Sequence, residues 1–195
     1  MKVYVIRHGQ SEGNRLELHC GWSDTPLSAL GHQQATRANR YLGDVSFDRI
    51  YCSDLPRAMQ TAQDALPMCQ PILSAKIREV GVGTLAGRPM KDCAAEYGEL
   101  YERSVREQDF SAFGGETQAQ MRSRVREFIQ ELEQLQGVDC VAVFGHEGTV
   151  HQMLSYALDY DVLLENVQVD NASASVFSYE NGCWKLLKWN YTGQL

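Results

Sequence analysis

Two hydrophobic rhythms alternate along this chain. Short runs of adjacent apolar residues, such as “VYVI” at 3–6 and “VAVF” at 141–144, are separated by longer stretches in which apolar residues recur every three or four positions. A continuous run of this length predicts a strand buried on both faces, as in a parallel sheet. “FDRIYCS” reads as a third such strand ending near Cys52, and “QPILSA” as a short fourth. Helical spacing appears in “PLSALGHQQATRANRYLGD”, where Ala35, Ala38 and Leu42 share a face, Ser28 is the expected N-cap and Gly43 the stop. In “SDLPRAMQTAQDAL” Ser53 or Asp54 should cap, Pro56 fits the first turn, and Leu55, Ala58, Ala62 and Leu66 align. Thr117 and Gln120 form a capping box ahead of Met121, Val125, Phe128, Ile129, Leu132 and Leu135, with Gly137 as the expected end. “EGTVHQMLSYAL” is a further helix, and residues 78–115 should hold short helices and loops. Asn181-Gly182 between two strand-like runs predicts a hairpin with a type I′ turn. Strands alternating with helices give an α/β fold: a three-layer sandwich with a largely parallel central sheet flanked by helices, one domain over residues 1–195.

Composition narrows the function more than the fold. The chain has 195 residues, 44% hydrophobic and 22% charged, as in ordinary globular proteins. Its net charge of −7 argues against nucleic acid as a partner, though a local arginine cluster can still focus positive potential for a small anion. The N-terminus reads as a strand rather than a signal peptide, and no apolar run approaches a membrane span. A cytoplasmic protein with no membrane partner is therefore expected. The six cysteines form no Cys-x-x-Cys pair and are expected to be reduced, small hydrophobic residues. The sequons at Asn171 and Asn190 are then chance. Nothing in the pattern separates a monomer from a homodimer.

The chemistry concentrates where strands end. His8 follows “VYVIR” and His146 follows “VAVFG”, each beside glycine. In open parallel sheets ligands bind outside the carboxyl ends of the strands, so both imidazoles should project where chemistry is expected. His19, His32 and His151 are expected on the surface or on helix faces. A metal centre would need a third ligand at close spacing, and neither His-x-His nor His-x-x-x-His occurs. Arg7 beside His8 would repel a cation and suits an anion. Arg57, in the first turn of a helix that follows a strand, adds a second planar guanidinium matched to phosphate oxygens. Two arginines and two histidines at one sheet edge read as a cage for a phosphoryl group, with no metal. The P-loop, dinucleotide and serine-hydrolase motifs are absent, which leaves histidine as the nucleophile.

These residues resemble the histidine phosphatase superfamily, in its phosphoglycerate-mutase-like branch, and the resemblance runs over essentially the whole chain. “VIRHGQSEGN” is similar to the family's Arg-His-Gly signature, “DTPLSALGHQQA” to the segment that follows, and “IYCSDLPRAMQTA” to its Ser-x-Leu-x-Arg-Ala helix start. “GGET”, “VFGHEGTV” and the closing hairpin, which resembles that of small bacterial phosphatases, complete it. The resemblance implies that His8 becomes phosphohistidine, that Arg7, Arg57 and His146 hold the phosphoryl oxygens, and that Asn14 donates to them. It implies that Glu79 in “IREVGVG” is the acid and base, a role the residue pattern alone does not reveal. Gln10 and Ser11 should line the same loop, and Glu147 and Gly148 should offer backbone N–H groups. One departure is Ala86 in “GTLAG”, where the family often has Glu. The expected activity is a cofactor-free phosphomonoesterase acting on a small-molecule phosphate ester. The alternatives are a cofactor-dependent phosphoglycerate mutase, an α-ribazole phosphatase, and a non-catalytic member that binds a partner.

Overall fold

The structure, a computed structural model, describes residues 1–160 and 167–193. Its centre is a six-stranded sheet in the order β3-β2-β4-β1-β5-β6. The strands are β1 (Lys2–Arg7), β2 (Arg49–Cys52), β3 (Ile72–Leu73), β4 (Cys140–Gly145), β5 (Ala174–Glu180) and β6 (Cys183–Tyr191). The first four in that order are mutually parallel, while β5 and β6 form an antiparallel hairpin at the β1 edge. The helices are α1 (Glu12–Arg15), α2 (Ala29–Leu42), α3 (Pro56–Ala65), α4 (Met90–Tyr97), α5 (Glu99–Glu107), α6 (Gln118–Glu133) and α7 (Glu147–Leu158).

Alternation along the central strands sorts their side chains into two layers. Val3, Val5, Val141 and Val143 join the cluster under α6 and α7, with Val125, Phe128, Ile129 and Val150. Ile6, Ala142 and Phe144 join the opposite cluster under α2 and α3, built on Ala38, Leu42, Ala58, Ala62 and Ala65. Both faces are covered, which is why these strands read as continuous apolar runs. The expected three-layer α/β architecture is what forms.

Several local expectations hold and several change. Ser28 and Thr117 cap α2 and α6 with their hydroxyls, and Asn181 and Gly182 both take positive φ, 51° and 77°, as a type I′ turn requires. By contrast α3 has no side-chain cap: its N-cap is Leu55. Both hydroxyl and carboxylate expected there are drawn away by stronger tertiary partners, Ser53 to His146 and Asp54 to Arg78. Helix α6 stops at Glu133 rather than Gly137, and Leu135 packs on the core from beyond its end. His19 is buried rather than on the surface, and His151 lies on the buried face of α7. His19 Nε2 pairs with the Tyr101 hydroxyl at 2.7 Å, and His151 Nε2 with the Val167 carbonyl at 2.8 Å. His32 is exposed and meets Asp64 at 2.6 Å. All six cysteines are free thiols.

Candidate active site

Strand register assembles the site. In the β1–β4 ladder Arg7 pairs with Gly145, so the next residues, His8 and His146, leave the sheet side by side. In the β2–β4 ladder Cys52 pairs with Phe144, which brings Ser53 to the same edge. The bonds that end these strands, His8 N–H to Gly145 O at 3.0 Å and Ser53 N–H to Phe144 O at 2.8 Å, fix the edge. The imidazoles of His8 and His146 lie 5.1 Å apart, centroid to centroid, with their planes at 65°.

The hydrogen bonds of His8 set its tautomer. Its Nδ1 lies 2.6 Å from the Gly9 carbonyl, which can only accept, so Nδ1 carries the proton and Nε2 the lone pair. Arg57 Nε points an N–H at that lone pair from 3.3 Å. Burial, then the charges of Arg57 and Arg7, hold the His8 pKa well below the ordinary imidazole value. The ring is therefore neutral near pH 7.

His146 is fully buried, and its Nε2 lies 2.9 Å from Ser53 Oγ. Ser53 also accepts the Leu55 N–H; when its own proton goes to Nε2, the imidazole proton sits on Nδ1. Burial first, then Arg57 and His8, lowers the His146 pKa well below the ordinary value. Arg57 has no exposed surface, and its Nη1 and Nη2 donate to the carbonyls of Ser23 at 3.1 Å and Gly21 at 2.7 Å. Arg7 donates through Nη1 to the Val169 carbonyl and through Nη2 to Glu147, 2.8 Å away. Among the described residues, two buried nitrogens of this cluster, Arg7 Nε and His146 Nδ1, have no hydrogen-bond partner. A buried polar group left unsatisfied is costly, and two at one site mark where a ligand's polar atoms would fit.

Glu79 reaches the same place from a loop. Its Oε1 accepts the Val80 N–H at 3.0 Å and lies against Gly148, in the first turn of α7 next to His146. Its backbone carbonyl is held by Trp22 Nε1 at 2.7 Å and by Arg124 Nη2 at 2.8 Å. Arg124 also binds the carbonyls of Lys76 and Arg78 and both carboxylate oxygens of Glu116, so it clamps the segment that carries Glu79.

The structure thus brings together Arg7, His8, Arg57, Glu79, His146 and Glu147. Asn14 sits on α1 with its Oδ1 taken by Ser11. Ser11 is buried as the α1 N-cap, and the Gln10 side chain accepts from the Ser28 hydroxyl, so both spend their side chains on the loop itself. Glu147, expected to offer its backbone N–H, also pairs its carboxylate with Arg7. Ser53, Trp22 and Arg124 were not singled out from sequence for the site. Ser53 carried the signal of a helix cap, and the other two carried none.

The model of the histidine phosphatase superfamily (branch 1) matches residues 3–192. The chain belongs to that superfamily. It is similar to fructose-2,6-bisphosphatase TIGAR B of Danio rerio, 39% identical over 137 residues, which are 67% of this chain and 52% of that protein. The match thus spans about half of that relative's length. It is also similar to the adenosylcobalamin/α-ribazole phosphatase of Escherichia coli K12, 28% identical over 97% of this chain and 91% of that protein. The crystal structure of the α-ribazole phosphatase from Shigella flexneri superposes with a TM-score of 0.89 at 26% identity, over 98% of this chain and 97% of that one. Family and relatives make the chain an enzyme of the phosphatase type.

Proposed function

We propose that the protein is a metal-independent phosphomonoesterase that hydrolyses a small-molecule phosphate ester through phosphohistidine on His8. The observation that carries this reading is the His8 ring itself: Nδ1 locked on the Gly9 carbonyl, Nε2 left as the unprotonated nitrogen of a neutral ring with only a long 3.3 Å contact from Arg57 Nε, and two guanidinium groups beside it.

In the first step His8 Nε2 attacks phosphorus in line with the ester oxygen. The N–P bond forms as the P–O bond breaks, and Glu79 in its acid form gives the leaving oxygen its proton. Arg7 Nε, Arg57 and His146 face the equatorial oxygens, where charge is stabilised. Removing one such donor typically costs ~10²–10³ in turnover. In the second step Glu79, now a carboxylate, takes a proton from water. The resulting hydroxide attacks phosphorus, the N–P bond breaks, and inorganic phosphate leaves with Glu79 protonated for the next cycle. Such acid–base assistance is worth about 10²–10⁴-fold. Asn14, whose amide nitrogen makes no bond among the described residues, is a further donor at the rim.

Mutase chemistry is the second reading, since it shares the phosphohistidine. It calls for positive side chains that retain a second phosphate. The segment 88–109 offers Arg88, Lys91, Arg103 and Arg106 against Asp92, Glu96, Glu99, Glu102, Glu107 and Asp109, a poor clamp. The function is set in the cytoplasm, and no described helix is long and apolar enough to cross a membrane. The test is a panel of phosphomonoesters read by released phosphate, with 3-phosphoglycerate plus catalytic bisphosphoglycerate as one arm. Phosphate from several monoesters supports hydrolysis. Rapid 2-phosphoglycerate with little free phosphate overturns it.

A further inference from the structure

The loop that braces Arg57 also builds the wall of a second cavity. Gly21 and Ser23 give their carbonyls to the Arg57 guanidinium, and Trp22 lies between them. The Trp22 indole donates to the Glu79 carbonyl at 2.7 Å, which ties it to the residue proposed to protonate the leaving group. It lines a cleft of about 430 Å³ together with Gly81, Val82, Ala86, Gly115 and Glu116. That volume is of the size that takes a drug-sized ligand. Close backbone packing builds this wall: a Cβ on Gly115 would fall 2.3 Å from the Gly81 carbonyl, so this lining is backbone by necessity.

The charge in the cleft is already spent. Among the lining residues only Glu116 is ionisable, and its two oxygens accept from Arg124 and from the Gly81 N–H. No lining residue is a cation. Arg78 lies over the indole, 5.3 Å from the ring centroid, but Asp54 takes its charge through two hydrogen bonds. Ala86 stands in the lining where a longer polar side chain would intrude. A carboxylate or a second phosphate placed here would lose its water beside Glu116 and gain no counter-ion. A flat apolar body would meet an indole face and a glycine floor.

We infer that this cleft selects the leaving group, and that the substrate is the phosphate monoester of an uncharged alcohol with a flat, preferably aromatic, body that stacks on Trp22. This rests on the phosphomonoesterase reading and adds the substrate class. The test compares alkyl esters of similar leaving ability: 2-phenylethyl phosphate, butyl phosphate and 3-phosphoglycerate. The expected kcat/KM for 2-phenylethyl phosphate exceeds that for 3-phosphoglycerate by about tenfold or more, the scale of one stacked ring. Trp22→Ala should raise KM for 2-phenylethyl phosphate several-fold more than for butyl phosphate, and Trp22→Phe should recover most of that difference. Ala86→Arg, which adds a cation to the cleft, should shift the preference toward 3-phosphoglycerate. Equal or faster turnover of 3-phosphoglycerate by the unmodified enzyme overturns the inference alone. So does a Trp22→Ala loss that is the same for all three esters, which would make the indole only a brace for Arg57 and Glu79. If no ester releases phosphate, p-nitrophenyl phosphate included, the phosphomonoesterase reading falls and this inference with it.

Discussion

Gly148→Ala is a substitution that leaves every proposed catalytic group chemically intact and still tests one of them. Gly148 is the second residue of α7, and an ideal Cβ there would sit 2.5 Å from Glu79 Oε1 and 2.5 Å from Met121 Cε. Methionine is flexible and can swing aside. Glu79 is less free, because its Oε1 is bonded to the Val80 N–H and its backbone is held by Trp22 and Arg124. The carboxylate must retreat by roughly 0.5–1 Å to restore ordinary contact. A misplacement of ~1 Å can cost about 10²-fold, or ~2.7 kcal/mol of barrier. Stability should move far less, since alanine gains about 1 kcal/mol over glycine inside a helix and offsets part of the clash. The expected result is a 10- to 100-fold fall in kcat on alkyl phosphates, in rough keeping with the misplacement estimate, with the melting temperature within a few degrees of the parent. With p-nitrophenyl phosphate the leaving phenolate needs no proton, so the first step is spared while water attack stays slow. Stopped-flow should then show a burst near one p-nitrophenolate per active site, absent in the parent. Unchanged kcat on alkyl esters in a folded variant would refute Glu79 as the acid and base.

Ser53→Ala removes the partner of His146 Nε2 in a fully buried position, so it should cost about 1–3 kcal/mol in chemical denaturation and lower kcat as well; a neutral result would mean that the 2.9 Å contact does not hold the ring. Both site histidines have folded pKa values well below the ordinary 6.5, so above that pH folded and unfolded chains alike hold them neutral. Below about 6.5 the unfolded chain takes up protons that the folded one excludes, and stability falls with pH by at most ~2.7 kcal/mol per unit for the two groups. Urea midpoints at pH 7.5 and 5.5 should show this fall, and His8→Asn should flatten it; an unchanged slope in that variant would contradict a neutral buried His8. His8→Ala should abolish turnover and the acid-labile phosphate that rapid quench traps on the parent. Turnover should survive EDTA, since the proposed charge stabilisation comes from Arg7 and Arg57. Loss in EDTA that a divalent ion restores would count against the cage.

What the sequence makes legible is local or symmetric. The central strands declare themselves because burial on both faces leaves no polar position in “VYVI” or “VAVF”. Ser28, Thr117 and Asn181-Gly182 act within three or four residues of themselves, so their spacing is their signal. His8 and His146 are legible because two strands end the same way. The other parts of the site are distant pairings, which spacing does not encode. Ser53 looks like a helix cap because serine before a helix usually is one, and only the fold puts His146 within reach of its hydroxyl, 93 residues away. Arg124 lies outside the apolar stripe of α6 and reads as a solvated side chain, yet its guanidinium spans three carbonyls and a carboxylate. The burial of His19 and His151 is not legible because nothing near them in sequence announces Tyr101 or the Val167 carbonyl as partners.

On the proposed reading, the arginines show how a chain of net charge −7 would prepare a place for a dianion. Arg78, Arg88 and Arg124 are paired with the carboxylates of Asp54, Glu96 and Glu116. Arg57 is instead held by His8 and two backbone carbonyls, with Glu79 and Asp24 acting only through space. Carbonyl bracing fixes a guanidinium without cancelling its charge. Its cost is the burial that pulls the Arg57 pKa down, and arginine starts high enough to remain a cation. Arg7 is the intermediate case, with one carbonyl and the half-exposed carboxylate of Glu147, which an incoming phosphate has to share or displace. Burial first, and then the same positive field that would hold the phosphoryl oxygens, keeps protons off His8 and His146. A site that paired its arginines with carboxylates would weaken both effects together: less attraction for the phosphate and a nucleophile more often protonated. Local bracing, not net charge, makes the two compatible.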